Sequence, residues 1–417
     1  MFSAFRHPPL PTERRCWALC AGCALLMGAV TDLGPHRVWA FTAGAGYAAA
    51  ALAAGRSRRS GSAVPAALAV VGAVLLPLVV LVAADRAQPE VAVVERSARL
   101  LLHTGSPYLA NATDVADYNP YLPGMSVFGL PAALLGPGPA TDARWYFTAV
   151  FAVTMAAALR IARRSAPVPV LLMSACPLVA LPLATGGIDL PVAALACLGP
   201  AFAGRGDGGR AGLVVGAAAA LKWTAWPAVP VALALLSVRY GRRPALHCAG
   251  SCLIVLAATV VPVALADPAG LAANAVAFPL GLTDAVSPAA SPLPGHLLAA
   301  HLPGGRLVAV AALVAAAVAM AASLAVAPPL STRAAADRLA VGLGLAICLL
   351  PATRFGYLLL PFVLVAWLRL AQPSSPSSPS PSPSPSPERN RRTKPVQTAA
   401  STSRKAYAHA PYAHRHQ

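Results

Sequence analysis

The chain has 417 residues, 57% of them apolar and only 11% charged, with a mean hydropathy of +0.64. A soluble domain carries roughly 25% charged residues, so the composition excludes a soluble globular enzyme and points to a polytopic membrane protein. The formal charge of +18 does not indicate nucleic acid, because the basic residues form short clusters between apolar runs and no aromatic-interleaved basic face accompanies them.

Apolar runs of about 20 residues, the length that crosses a bilayer, recur from Cys16 to Leu370. The basic clusters at 6–15, 55–60, 160–165, 205–210, 239–243 and 331–338 are assigned to the cytoplasm. They fix which runs cross. Spans at 16–34, 37–55 and 64–84 leave the segment after Ala84 outside. That segment is unusually charged, with Asp85, Glu90 and Glu95 interleaved with Arg86, Arg96 and Arg99. Run 124–136 is too short to cross and reads as a re-entrant or interfacial piece, so run 144–162 returns the chain to the cytoplasm.

Run 167–186 then leads out, "GGIDLP" turns, and 188–203 returns, which puts Asp189 at the outer surface. Segment 211–238 has basic clusters at both ends and is too short for two full crossings at about 1.5 Å per residue. It is expected to form a half-membrane hairpin turning at "KWTAWP". Run 245–266 leads out, 267–306 forms a second external loop, and 307–328 returns. Runs 339–353 and 356–370 make a last short hairpin tipped by "TRFGY".

The expected fold is therefore an all-α, polytopic transmembrane helical bundle of about ten spans plus half-membrane hairpins, multi-pass in the plasma membrane with both termini cytoplasmic. Residues 1–63 hold an extra transmembrane pair, 64–370 the core, and 371–417 a Pro/Ser-rich then basic tail that reads as disordered and as a partner for anionic lipid. The eight cysteines lie within apolar runs or at their ends and read as small hydrophobes, not as disulfide partners or metal ligands.

On this topology the carboxylates at 32, 85, 90, 95, 114, 117, 142, 189, 267 and 284 face outside. Acids contribute little to topology, so sorting does not explain the bias. Glu95 with Arg99 reads as an i,i+4 helix pair, and Asp114 and Asp117 as loop solubilisers. Asp85 and Glu90 lie where the third span meets the outer interface, and partial desolvation there suits a general base.

Four motifs in order extend this reading. Glu90 precedes "LLHTGSPY"; "YNPYLPGM" opens an apolar segment at 118–125; "GGIDLP" follows at 186–191; and "AGLVVGAAAALKWTAWP" spans 211–227. The pattern resembles the C-type (GT-C-like) membrane glycosyltransferases, in particular glycosyltransferase family 87, the actinobacterial polyprenol-phosphate-mannose-dependent transferases. The resemblance covers roughly residues 64–370, with Glu90 standing where the family has Asp and two additional spans ahead of the core. It implies transfer of a hexose, with mannose the first choice, from a polyprenyl-phosphate donor to a glycolipid or glycan hydroxyl on the outer face, with inversion.

Such a displacement needs a base for the acceptor proton and a cation for the departing phosphate. Glu90 is the candidate base, with Asp85 or Asp189 orienting sugar hydroxyls or assisting it. Two external carboxylates would also suffice to share a divalent ion, but no metal or other cofactor is expected. Arg354 is the candidate phosphate ligand, with Tyr357 adding a hydrogen bond; the alternative is an arginine anchoring a helix at the interface. Lys222, the one lysine of the apolar region, is expected near mid-bilayer, either in an ion pair or donor contact or held by helix carbonyls. Asn119, Tyr121 and Pro123 shape the loop, and Tyr121 is also a candidate for stacking on a sugar. A transporter or lipid flippase is the rival reading, although the acids gather at one surface rather than at the midplane and no internal repeat is found.

Overall fold

The computed structural model describes residues 10–56, 63–285 and 289–371; the tail expected to be disordered lies outside the described residues. All of the regular structure among them is helical. In chain order come α1 (Leu10–Val30), α2 (Gly34–Arg56), α3 (Ala63–Val70), α4 (Leu76–Ala83), α5 (Pro89–Thr104), α6 (Leu130–Leu135), α7 (Ala143–Ile161), α8 (Pro167–Ala175) and α9 (Pro177–Thr185). There follow α10 (Asp189–Ala203), α11 (Gly208–Leu221), α12 (Ala228–Tyr240), α13 (Arg242–Ala266), α14 (Pro268–Leu271), α15 (Pro294–His301), α16 (Gly305–Val326), α17 (Thr332–Leu349) and α18 (Leu359–Leu370).

Four helical stretches, Gly34–Arg56, Ala63–Ala83, Arg242–Ala266 and Gly305–Val326, are long and apolar enough to cross a membrane, or five if α8 and α9 make one span. On α13 and α16 the side chains of Leu253, Leu265, Leu307 and Val326 point away from the protein. An apolar exterior of this extent suits lipid rather than water.

The run at 167–186 is not one straight helix. It bends by 77° between α8 and α9, because Pro177 disfavours a helical backbone at the preceding residue and Cys176 is extended there (φ −61°, ψ 128°). Segment 211–238 does form the hairpin expected of it: α11 and α12 flank a 3-10 turn at Trp223–Ala225. Its feet meet, since the Tyr240 hydroxyl donates to the Gly204 carbonyl at 2.6 Å.

Four of the basic clusters, 160–165, 205–210, 239–243 and 331–338, gather at this foot. Arg205 donates to the Ile161 carbonyl at 3.4 Å, Gly204 abuts Thr332, and Arg369 pairs with Asp337 at 2.6 Å. The 15 residues of α10 lead from there to Asp189, about 22 Å away at the helical rise. The bundle thus has a basic end and, opposite it, the end that carries Asp189.

The two N-terminal helices are integral to the bundle. Trp17 of α1 stacks on Tyr47 of α2 at 6.0 Å, and the Tyr47 hydroxyl donates to the Ala175 carbonyl at 2.7 Å. A π turn at Val71–Leu75 joins α3 to α4. Pro77 has no N–H to give the carbonyl four residues back, and the Trp39 indole donates to that carbonyl, Ala73, at 2.8 Å.

At the crossing of α2 with this turn the backbones touch: a Cβ on Gly46 would lie 2.6 Å from the Gly72 Cα. Small residues allow such approach between apolar helices. Gly46→Val is accordingly expected to cost at least about 1–3 kcal/mol by overpacking, read as a lower unfolding temperature in detergent. Gly22→Val, in open space, serves as the control and is expected to change little.

Candidate functional site

Glu90 sits in the first turn of α5, after the N-cap Gln88 and Pro89 at the first helical position. Proline fits there because its missing N–H would be unpaired anyway, and the helix dipole favours an acid in that turn. The Glu90 carboxylate accepts from Arg354 Nη1 at 2.9 Å.

Arg354 is delivered by the loop between α17 and the 3-10 turn at Phe355–Leu358. That loop is pinned to the second long loop, where Thr353 N–H donates to the Ala289 carbonyl and Ser291 N–H to the Thr353 carbonyl, each at 2.9 Å. The fully buried Thr353 also donates its hydroxyl to Ile347 at 3.0 Å, and His296 Nδ1 meets the Pro351 carbonyl at 2.9 Å.

Asp189 opens α10, and Lys222 ends α11 at the tip of the hairpin. Their side chains meet, with Lys222 Nζ 2.6 Å from Asp189 Oδ1. Lys222 Nζ also lies 5.1 Å from the Tyr357 ring centroid and 5.7 Å from that of Tyr121, within the range of a cation–π attraction. Burial raises the Tyr121 phenol well above its usual pKa; the charges of Glu90 and Asp189 raise it further, while Arg354 opposes them. Burial and the two carboxylates thus favour the neutral phenol at this centre.

Six of the residues singled out in the sequence, Glu90, Asp189, Lys222, Arg354, Tyr121 and Tyr357, thus converge on one centre. Lys222 is held by a carboxylate rather than by helix carbonyls, and it shares a level with Asp189. Arg354 is likewise paired rather than a lone interfacial anchor. Asn119 does not join the centre. Buried, it shapes the loop: its N–H donates to Asn274 Oδ1 at 2.8 Å, its Oδ1 accepts from Tyr121 N–H at 3.2 Å, and its Nδ2 donates to Pro107 at 3.3 Å. Asp85 does not join either. It ends α4 exposed, in the left-handed region (φ 50°) that Asp tolerates better than most residues.

Glu95 feels the charge of the expected partner Arg99 but takes its hydrogen bond elsewhere. Its carboxylate accepts from Ala143 N–H at 3.1 Å, at the start of α7, and burial raises its pKa while that bond and Arg99 oppose the rise. Asp117 accepts from the Thr113 and Asp114 amides, which lower its pKa, and closes a turn.

The two ion pairs differ in what they permit. The side chains of Lys222 and Asp189 are 13% and 17% exposed, against 42% and 26% for Arg354 and Glu90. Exposed pairs contribute only about 0–1 kcal/mol, whereas breaking a buried pair costs about 3–5 kcal/mol. An incoming anion can therefore take Arg354 from Glu90 at small cost while Lys222 stays on Asp189. That exchange leaves a free carboxylate beside a bound anion.

Sequence patterns do not single out Arg144, Gln88 or His36, and they give Asp142 no role beyond that of an outward-facing acid. Arg144 stands first in the run 144–162, where nothing in the pattern singles it out, yet it is fully buried. Gln88 Nε2 lies 3.1 Å from His36 Nε2, joining the start of α2 to the start of α5, and spacing carries no trace of a pair 52 residues apart. Comparison with protein-family models, with curated proteins and with solved structures gives no match for this chain.

Proposed function

We propose that this chain is an integral membrane glycosyltransferase of the C-type, related to glycosyltransferase family 87. It moves a hexose, with mannose the first choice, from a polyprenyl-phosphate donor to a hydroxyl of a glycolipid or glycan. On this reading the bundle crosses the plasma membrane about ten times, counting helices shorter than the usual 20 residues. The basic end faces the cytoplasm and the Glu90 centre faces outward.

The observation that carries the reading is the paired centre itself, two carboxylates and two cations gathered at the end opposite the basic clusters. In the reaction the donor phosphate takes Arg354, which releases Glu90. Glu90 removes the acceptor hydroxyl proton as that oxygen attacks the anomeric carbon. The bond from that carbon to the phosphate oxygen breaks, and polyprenyl phosphate leaves with its added charge held by Arg354. Attack from the face opposite the leaving group inverts the sugar. Lys222 and Asp189 frame the sugar, and Tyr121 and Tyr357 wall it.

A charge-assisted hydrogen bond is worth about 1.5–3 kcal/mol. Arg354→Ala is therefore expected to weaken donor binding by roughly 10- to 100-fold, measured as uptake of radiolabelled polyprenyl-phosphate-mannose by the protein in nanodiscs. Unchanged affinity would return Arg354 to an anchoring role and remove the phosphate site from the scheme.

One observation favours a second reading, a transporter or lipid flippase: the chain has both a 77° break between α8 and α9 and a short α11–α12 hairpin, and interrupted helices commonly frame transport sites. Movement of a lipid-linked sugar between leaflets without any new glycosidic product would support it.

A further inference from the structure

Two short stretches of chain present the carboxylates of the proposed reaction: 85–89 leads into Glu90, and 185–188 leads into Asp189. They are already joined, because Gln88 N–H donates to the Thr185 carbonyl at 3.1 Å. Behind this join lies Arg144, with no exposed surface.

Each of its three guanidinium nitrogens donates to the protein. Nε and Nη2 fork onto Asp142 at 2.9 and 2.7 Å, and Nη1 donates to the Arg86 carbonyl at 2.8 Å. The stem packs on the other stretch, where a Cβ on Gly186 would stand 3.6 Å from Arg144 Cγ and would overlap Val91. Gly186 adopts φ 117°, a conformation open to glycine and strained for other residues. The same helix start takes a second hold on α5 through Glu95 and Ala143 N–H.

The geometry points to Arg144 as a positioning residue that sets the spacing between Glu90 and Asp189. One side chain grips the lead-in of Glu90 with its head and supports the lead-in of Asp189 with its stem, and Asp142 fixes its orientation. A buried arginine is costly unless it is paired and hydrogen-bonded, and Asp142 with the Arg86 carbonyl gives each of its three guanidinium nitrogens a partner. Lysine would keep the charge but lose the planar fork that reaches Asp142 and Arg86 together. The role of this spacing in catalysis rests on the glycosyltransferase reading; the bracing of the two stretches does not.

The test therefore has two arms, both on the full-length chain in nanodiscs. In the first, amide hydrogen exchange is compared between the native protein, Arg144→Lys and Arg144→Met. Faster exchange confined to 85–91 and 185–190, with α13 and α16 unchanged, is expected for both variants. A rise in one stretch alone, or an even rise throughout the bundle, would overturn the assignment.

The second arm is a double-mutant cycle on transfer rate. A misplacement near 1 Å is able to cost about 100-fold, so Arg144→Lys should slow the native enzyme by roughly 10- to 100-fold. It should slow Glu90→Gln by less than about threefold, because the base it positions is already gone. Equal loss in both backgrounds would reduce Arg144 to a general structural role. If the native protein transfers no sugar at all, the proposed function fails, and the exchange arm still decides whether Arg144 braces the two stretches.

Discussion

Glu90→Gln is expected to lower the rate of sugar transfer by roughly 10²- to 10⁴-fold, the usual contribution of a general base. Glutamine keeps the shape and retains an oxygen for Arg354, so the bundle should unfold at nearly its native temperature. Donor affinity should hold or rise, because the carboxylate that competes with the donor phosphate for Arg354 is gone. A lower kcat with an unchanged or smaller KM is the pattern expected when a group acts in the transition state and also competes in the ground state. A variant that transfers at the native rate would remove Glu90 from the chemistry. If Asp189→Asn then abolished transfer with the fold intact, the base would be Asp189.

The second large effect concerns the buried pair. Lys222→Met or Asp189→Asn alone leaves an unpaired charge in a site where the two side chains are only 13% and 17% exposed. Each is expected to destabilise the protein by roughly 2–5 kcal/mol. The double variant, Lys222→Met with Asp189→Leu, removes both charges and should recover much of that loss, as seen when buried pairs give way to apolar residues. Denaturant or thermal unfolding in detergent reads the difference. Activity should not return with stability, because Lys222 and Asp189 also frame the sugar. Single variants as stable as the native protein would mean that water or lipid headgroups compensate each lost charge.

Much of this arrangement is legible in the sequence because it follows from charge placement in an apolar chain. A lone lysine within apolar sequence needs some partner, a counter-charge or helix carbonyls, and topology placed Asp189, Glu90 and Arg354 together at the outer surface. Charge cost and position relative to the expected outer surface nominated Lys222, Asp189, Glu90 and Arg354. The hairpin at "KWTAWP" was legible for a geometric reason, since basic clusters at both feet leave a segment of that length no other course. What spacing does not carry is pairing at long range. Glu90 and Arg354 are 264 residues apart, and nothing in either motif names the other.

Depth was also hidden. The Lys222–Asp189 contact brings the hairpin tip to the start of α10, a relation set by how helices of unequal length stack. The bend at Pro177 was written in the sequence, but an apolar run of spanning length masks the proline that breaks it. Asp85 looked equivalent to Glu90 because both flank the same interface. The difference is conformational: Asp85 ends one helix facing outward, while Glu90 begins the next and faces inward. Arg144 was hidden most completely, since a charge at the edge of an apolar run reads as a boundary marker whether it points to water or into the core.

The most direct test of the glycosyltransferase proposal is a transfer assay with purified protein in lipid, radiolabelled polyprenyl-phosphate-mannose as donor, a membrane glycolipid extract as acceptor and Glu90→Gln as the control. Label in a new glycolipid with the native enzyme, and almost none with the variant, is the expected result. Failure to form a glycosidic product from any of several prenyl-linked sugars, by protein that still binds them or carries them across the bilayer, would contradict the proposal.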